Sequence, residues 1–346
     1  LRSLKAVVSL RFALYNVHPA LLTAHSPAEM GMDLLLAIYG SALTPQALDD
    51  RRSIISTTPQ HRIEWLMPEA ATMPNIYCYD GHAMYLGCAQ YSDGGEQVSW
   101  DGTEVPQPHH LGRYQVDFAV PTGYDGPGLL PVARRDRPGW DWPRSGEGHT
   151  WCSCAQARLA ARQGWRVRVV DARLLAQEKY LAPWAGRLAS IYERALREGW
   201  KDLAQCVRAV CLHTIGSMHR TGAATTAIRL SRAEMADVQP DEVITLDQEG
   251  HLAAETQVLR GGSWRTWMSH PELSAAVWAV AQYRVTKAML HLPREAVLAV
   301  YGDALYTTEP LPAARDNEIG WLRHVGTVTG PVTTPRTWAD LWRLTQ

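Results

Sequence analysis

The chain has 346 residues, 46% of them hydrophobic, and its 34 basic side chains nearly balance its 35 acidic ones. This length supports a large core with two or three subregions. No apolar run approaches the ~18 residues that cross a bilayer, so a membrane-spanning protein is excluded. The first residue is leucine rather than methionine, and we expect the chain to be trimmed or part of a longer protein.

Cysteine spacing and the N-terminal segment both favour a cytoplasmic protein. None of the six cysteines has the C-x-x-C spacing of a zinc site, which favours reduced and mostly buried thiols. The first residues interleave charged and apolar side chains and lack the apolar block and cleavage site of a secretory signal.

Short strands and helices separated by loops are predicted for the first half of the chain. A helix is expected near residues 28–39, and NIYCYD (75–80) predicts a strand that ends at Asp80. Residues rich in Gly, Pro and Asp predict loops at 92–112 and 121–148. The remaining elements are a strand at 113–120 and, within 154–172, a helix, a stop at Gly164 and a second strand.

A pair of helices is predicted at residues 181–217, with the break at Gly199. Residues 155–235, which include this pair, contain fourteen Arg and Lys against six Asp and Glu. A solvated helical face is one interpretation of such a segment. A basic segment in a chain that is otherwise acidic also suits a phosphate-rich ligand.

The last third of the chain predicts strands, one long helix and a hairpin. β-rich stretches at 241–247 and 251–260 come first. The helix is predicted to begin with a capping box of Ser269 and Glu272, with Pro271 in its first turn and its end before Pro293. AVLAVYGDALYTTEP (296–310) then predicts a hairpin that turns at Gly302-Asp303.

Two predicted strands therefore each deliver one aspartate, Asp80 and Asp303, to a strand end. Aspartate is common in turns, so either acid alone indicates little. Two carboxylates that meet in space would bind hard divalent cations, and two Mg²⁺ ions about 3.5–4 Å apart can promote an in-line displacement at phosphorus. The basic helices between the acids would supply cations for a triphosphate.

These segments resemble motifs of the family B DNA polymerases, most closely those of the compact protein-primed branch. The first family motif, Asp-x-x-Ser-Leu-Tyr-Pro-Ser, resembles DGHAMYLG (80–87), which keeps Asp80, an apolar Met84 and Tyr85. Ala83, Leu86 and Gly87 replace the motif's first Ser, its Pro and its last Ser.

The second and third family motifs are matched less fully. Lys-x-x-x-Asn-Ser-x-Tyr-Gly resembles RAVCLHTIG (208–216), in which Arg208 stands for the lysine, while Asn, Ser and Tyr are replaced. Asp-Thr-Asp-Ser, followed by an apolar residue and Tyr, resembles YGDALY (301–306). This segment keeps the second acid as Asp303, which is the family's metal ligand, and has Tyr301 in place of the first acid.

The resemblance covers roughly residues 63–335 and implies an α+β, right-hand polymerase fold with an antiparallel-sheet palm and inserted helical-hairpin fingers. It also implies DNA primer-template and dNTPs as partners, and a proofreading exonuclease or the rest of a thumb that would lie elsewhere in a longer chain. The implied regions are an N-terminal connecting region (1–70), a palm in two parts (71–177 and 226–312), fingers (178–225) and the start of an incomplete thumb (313–346).

The resemblance also implies residue roles. Asp80, Asp303 and the backbone carbonyl of Gly81 would bind two Mg²⁺ ions, or Mn²⁺, that activate a primer 3′-hydroxyl. Nucleotide binding would fall to three further side chains, and primer or template binding to another three. The nucleotide-binding residues are Gly81, which is shared with the metal site, and the side chains of Tyr85 (under the sugar), Lys201 and Arg208 (on the triphosphate). The primer or template residues are Tyr301, Arg323 and His324.

Two alternatives remain open at this stage. The replaced motif residues favour a polymerase-like module that binds nucleic acid without catalysis. The fourteen tryptophans permit a carbohydrate-binding or hydrolytic domain that uses acids such as Asp117 or Asp141, but this alternative leaves the basic helices unexplained.

Overall fold

The computed structural model describes most of the chain, with gaps. The described residues are 26–40, 43, 48–58, 64–66, 72–98, 102, 111–133, 140–220, 224–231, 255–262, 268–312 and 314–333. The predicted strand at 241–247 lies outside them. Among the helices of these ranges, none combines the length and apolar character needed to cross a bilayer.

The fold is a mixture of helices and antiparallel strands. The helices are α1 (Pro27–Tyr39), α2 (Leu48–Thr57), α3 (Met84–Ala89), α4 (Cys154–Arg162), α5 (Ala182–Arg197), α6 (Lys201–Met218) and α7 (Pro271–Met289). The strands are β1 (Glu64–Leu66), β2 (Thr72–Gly81), β3 (Gly94–Val98), β4 (Gly112–Ala119), β5 (Val132–Ala133), β6 (Trp140–Asp141), β7 (Glu147–Ser153), β8 (Arg166–Gln177), β9 (Ala224–Ser231), β10 (Glu255–Gly262), β11 (Val297–Tyr301), β12 (Ala304–Thr307) and β13 (Leu322–Thr333).

A five-stranded antiparallel sheet carries both predicted acids. Its order is β1-β11-β12-β2-β13, so the predicted strand that ends near Asp80 lies between the second strand of the predicted hairpin and β13. The hairpin prediction is confirmed, with Gly302 at φ +63° in the turn. The pairing of β13 with β2 brings residues 322–333, in the segment assigned to the start of a thumb, into the same sheet.

Helices α1, α3, α5, α6 and α7 contribute to the larger core, which covers one face of this sheet. The predicted helical pair is confirmed as α5 and α6, and Gly199 between them has φ +74°. Trp184 of α5 is fully buried and its indole N–H donates to the carbonyl of Gly31 in α1. This bond satisfies the polar atom that would otherwise make burial of a tryptophan costly.

A second sheet, of order β3-β8-β4-β7, has its own core with helix α4. β4 alternates buried and partly buried residues along its length, as the sequence predicts. The prediction that residues 92–112 form only loop is wrong, because Gly94–Val98 pairs with β8. The same correction applies within 121–148, where β5 and β6 pair with each other.

The predicted capping box of α7 is also wrong. The hydroxyl of Ser269 is completely buried and donates to the carbonyl of Arg220, just after α6, and Ser269 lies one residue before the N-cap of α7. The N-cap residue is His270, without a side-chain cap bond, and the ring of His270 contacts Glu272 at 3.2 Å. A tertiary contact has therefore replaced the local one.

Candidate active site

The two predicted acids meet in one pocket because β12 pairs with β2. Leu305 of β12 lies opposite Tyr79 of β2, which places the turn at Asp303 beside the end of β2 at Asp80. Both side chains line a cavity of about 140 Å³. The other lining residues are Ala83, Met84, Tyr85, Leu86, Arg208, Cys211 and Leu212.

Gly81 permits the close approach of the Asp303 carboxylate. A Cβ atom on Gly81 would lie 2.4 Å from Oδ2 of Asp303 and 2.6 Å from Cβ of Met84. The chain then turns through Ala83, which has φ +44°, and α3 begins at Met84. This left-handed residue is costly for an L-amino acid other than glycine, and here it returns Tyr85 to the pocket.

The carboxyl group of Asp303 is strongly perturbed. Burial, followed by the nearby charge of Asp80, raises its pKa from an ordinary 3.8 to about 6, and the charge of Arg208 acts in the opposite direction. Two carboxylates held in a desolvated pocket repel each other, and a cation between them would relieve that repulsion.

This pKa predicts a pH dependence of stability in metal-free buffer. The folded pKa is raised, so the protonated carboxyl favours the folded state below about pH 4 and this stabilisation is lost as the pH rises through about 6. The loss should amount to about 3 kcal/mol, since one pKa unit corresponds to about 1.4 kcal/mol. Denaturant unfolding of wild type and Asp303→Asn with EDTA between pH 4 and 8 measures it; parallel profiles for the two proteins would contradict the prediction.

Arg208 faces the two acids from helix α6. It lines their pocket, and its charge lowers both the pKa of Asp303 and that of His82. Lys201 is the exposed first residue of the same helix and does not line the pocket. Seven residues correspond to about 10 Å along a helix axis, so the structure does not bring these two cations together.

Arg323 lies beside the acids, whereas His324 faces away from them. Arg323 is the cross-strand partner of Asp80, and paired residues project to the same face of a sheet. Its Nε atom is buried without a hydrogen-bond partner among the described residues. His324 is the partner of Tyr79, and its ring contacts that of Tyr79 at 5.4 Å and the hydroxyl of Thr327 at 2.9 Å.

Tyr301, where the family motif has an acid, is the last residue of β11. It pairs with Ala304 across the hairpin and with Glu64 of β1. It does not line the pocket of the two aspartates.

His82, to which the sequence assigned no role, does not line the pocket but lies close enough for the charges of Asp80 and Arg208 to affect its pKa. It is 9% exposed, its ring packs edge-on against Tyr192 of α5 at 5.9 Å, and its Nδ1 has no hydrogen-bond partner among the described residues. Burial, and then the charge of Arg323, lowers its pKa. The only sequence signal was its position two residues after Asp80.

The donor set fits Mg²⁺ or Mn²⁺ bound partly by substrate. No group of three or more His, Cys, Asp or Glu side chains within the described ranges could hold a metal ion. Mg²⁺ is commonly held by one or two carboxylates, with water and substrate phosphates completing its octahedral shell. Asp80 and Asp303, with the mutual repulsion described above, provide such a pair.

The acids of the carbohydrate alternative are arranged differently. Asp117 lies on β4 with its side chain 38% exposed, paired with His149 at 2.7 Å and with Arg168. These partners hold the pKa of Asp117 below its usual range. A carboxylate stabilised in its ionised form on an open sheet is poorly suited to general acid chemistry.

The fold of the chain is similar to that of several solved structures. Phi29 DNA polymerase complexed with primer-template DNA is similar over 93% of this chain, with a TM-score of 0.61 and 12% identity. Its complex with primer-template DNA and incoming nucleotide substrates has a TM-score of 0.59 and 13% identity over 88% of this chain. Its orthorhombic crystal form has a TM-score of 0.60 and 13% identity, also over 88% of this chain. The chain spans 53–55% of those chains.

No protein-family model matches the chain, and no curated protein matches it. At 12–13% identity the likeness shows the fold alone. The chain has a mixed helical and antiparallel-sheet fold that is similar to part of Phi29 DNA polymerase.

Proposed function

We propose that the chain is the polymerase core of a template-directed DNA polymerase, most similar to the compact protein-primed branch of family B. The observation that carries the proposal is the convergence of Asp80, Asp303, Arg208 and Tyr85 in one pocket. In this interpretation the five-stranded sheet is the palm, and α5 and α6 are the fingers. Primer extension by wild type and by variants of the two acids tests it.

The two acids would hold a pair of Mg²⁺ ions, with the backbone carbonyl of Gly81 as a further ligand. When bound, such ions lower the pKa of an attacking hydroxyl and stabilise charge on the leaving pyrophosphate. Asp80 and Asp303 provide the negative charge that keeps the ions in place, and the missing Cβ of Gly81 leaves room for the Asp303 carboxylate.

Arg208 would bind the triphosphate of the incoming nucleotide. Its guanidinium group faces the acids from the fingers helix, so a phosphate held in the pocket would contact Arg208 on one side and the ions bound by the two acids on the other. Lys201, outside the pocket, would at most guide the nucleotide towards it through its charge. Arg323, beside Asp80, is the better placed of the proposed primer contacts.

We expect Arg208→Ala to raise the KM for dNTP by roughly ten- to a hundredfold, because a charge-assisted bond contributes on the order of 1.5–3 kcal/mol. Steady-state primer extension at varied dNTP measures this effect. Lys201→Ala is the matched control, since it removes the same charge from the same helix outside the pocket, and it should leave KM within about twofold. An unchanged KM for Arg208→Ala would contradict the assignment.

We expect Tyr85→Ala to lower the ratio of dNTP to rNTP incorporation efficiency by at least about tenfold. In the proposed role, the ring lies against the sugar and excludes a 2′-hydroxyl, a contact that is worth a few kcal/mol of discrimination. Tyr85 also packs on the larger core, so its truncation should lower both efficiencies. Only the ratio separates the two roles, and Tyr85→Phe should preserve it.

A catalytically inactive nucleic-acid-binding module is the second candidate. Tyr301 aligns with the first acid of the third family motif, and it lies outside the pocket. The pocket is therefore lined by two carboxylates, one fewer than the acids of the first and third family motifs together. This candidate predicts DNA binding by the wild type without extension at any concentration of Mg²⁺ or Mn²⁺.

A further inference from the structure

A second pocket, rich in basic side chains, lies apart from the two acids. Its volume is about 310 Å³ and it shares no lining residue with the pocket of Asp80 and Asp303. Helix α7 and the turn that follows it form one wall, and the segment that leads into β13 forms the other. The lining residues that matter here are Arg284, Lys287 and His291 of the first wall, and Arg315 and Trp321 of the second.

Arg284 is a buried cation without an acidic partner. It is 7% exposed, its Nη1 donates to the carbonyl of Gly320, and its guanidinium lies over the rings of Tyr91 and Trp321 at 4.8 and 4.7 Å. No carboxylate of the described residues forms an ion pair with it. An uncompensated buried charge is unfavourable, and an anion in the adjoining pocket would balance it.

The other cations give this pocket a net positive charge. Lys287, one turn after Arg284 in α7, is exposed, and so is His291, two residues past the end of that helix. Arg315 lies over Trp321 at 4.1 Å and pairs with Glu318 at 2.8 Å, so it brings a carboxylate with it. Arg284 and Lys287 therefore remain as two cations with no ion-paired acid in the described part of the chain.

The geometry points to a phosphate-binding site formed by Arg284, Lys287, His291 and Arg315. A guanidinium held by flanking rings presents its donors in a fixed fork that matches phosphate oxygens, and Lys287 and His291 add donors from the same side. The phosphate belongs either to a nucleic-acid strand or to free pyrophosphate. The inference depends on the proposed function only for the first of these sources.

The test uses Lys287→Ala/Arg315→Ala, because both side chains are exposed enough to be removed without opening the core; Arg284 is left intact. The control, Arg166→Ala/Arg294→Ala, removes two cations that each already pair with an acid, Glu147 or Asp125. All titrations contain EDTA, so that no metal holds phosphate at Asp80 and Asp303. The probes are pyrophosphate, a (dT)12 oligonucleotide and a poly-glutamate peptide.

If the phosphate belongs to a nucleic-acid strand, log K for (dT)12 should decrease less steeply with log salt in the Lys287/Arg315 variant. The magnitude of the slope should be smaller by about 1.4, because each single-strand phosphate contact contributes about 0.7, and it should stay unchanged in the control. For free pyrophosphate, its affinity should fall at least about tenfold in that variant alone. Either result supports the site. If the variant binds pyrophosphate and (dT)12 as well as the wild type does, the site is overturned. A loss of affinity for poly-glutamate alone overturns it too.

Extension activity in the same preparations separates this inference from the proposed function. A wild type that extends no primer, but whose phosphate binding depends on Lys287 and Arg315, would contradict the polymerase and leave the phosphate site in place. A wild type that extends primers, with equal binding of pyrophosphate and (dT)12 by the Lys287/Arg315 variant and the control, would support the polymerase and contradict the phosphate site.

Discussion

Asp80→Asn and Asp303→Asn are each expected to lower primer extension at least about a thousandfold. Each change removes one of the two carboxylates in the pocket and with it part of the negative charge that would bind the proposed cations. Metal ions contribute several kcal/mol to such a reaction, and about 4 kcal/mol corresponds to a thousandfold in rate. The measurement is single-nucleotide extension of a labelled primer at saturating dNTP and Mg²⁺.

Stability measurements distinguish this loss from misfolding. Asn is nearly isosteric with Asp, and either change removes a charge from the pocket in which burial and then carboxylate repulsion raise the pKa of Asp303, so neither variant should be less stable than wild type in EDTA. Mg²⁺ or Mn²⁺ should raise the melting temperature of wild type and have little effect on either variant. Asp117→Asn is the matched control, since that exposed aspartate lies on the other sheet and should leave extension unchanged.

Extension at the wild-type rate by either variant would refute the proposed mechanism. A wild type that is stabilised by Mg²⁺ but extends no primer, with the effect lost in Asp80→Asn, would favour the inactive module. The metal site and the activity are therefore tested separately.

Local patterns predicted the elements on which the site depends. Alternating burial in β4, the glycine stops at 164 and 199, and the turn at Gly302-Asp303 each arise from interactions within a few residues, which a sequence pattern records. Strand β2 and the hairpin followed from the same kind of signal. The bounds of these elements agree with the structure to within a few residues.

Contacts between distant segments were not predictable in the same way. The sequence gives no signal that residues 322–333 pair with β2, and that pairing alone places Arg323 opposite Asp80. Ser269 has the local pattern of a helix cap, yet its hydroxyl bonds to Arg220, 49 residues away. The family resemblance assigned both Lys201 and Arg208 to the triphosphate, but only Arg208 lines the pocket, because Lys201 lies about two turns away in α6.

Gly87→Ala is expected to destabilise the protein by about 3 kcal/mol or more. A Cβ atom on Gly87 would lie 2.4 Å from the Cα of Gly320, 2.5 Å from its nitrogen and 2.6 Å from the carbonyl carbon of Ile319. All three are backbone atoms, so no side-chain rotation relieves the clash, and α3 must move away from the segment that leads into β13.

The segment around Gly320 cannot easily give way. Its N–H donates to the carbonyl of His82 at 2.7 Å, its carbonyl accepts from Arg284, and its φ of +83° favours glycine. The close approach of the two segments therefore leaves no room for a side chain at position 87. Displacement here should also disturb Asp80 and its cross-strand partner Arg323, so extension should fall together with stability.

Gly216→Ala provides a control for which the expected change in stability is in the opposite direction. Gly216 is an exposed residue inside α6, and a Cβ atom there would meet nothing within 4 Å. Alanine in a helix interior is favoured over glycine by roughly 0.5–1 kcal/mol, so this variant should be more stable than wild type. Guanidinium unfolding at pH 7 measures both changes, and a Gly87→Ala midpoint equal to that of wild type would show that α3 and the Gly320 segment do not pack as closely as the structure has them.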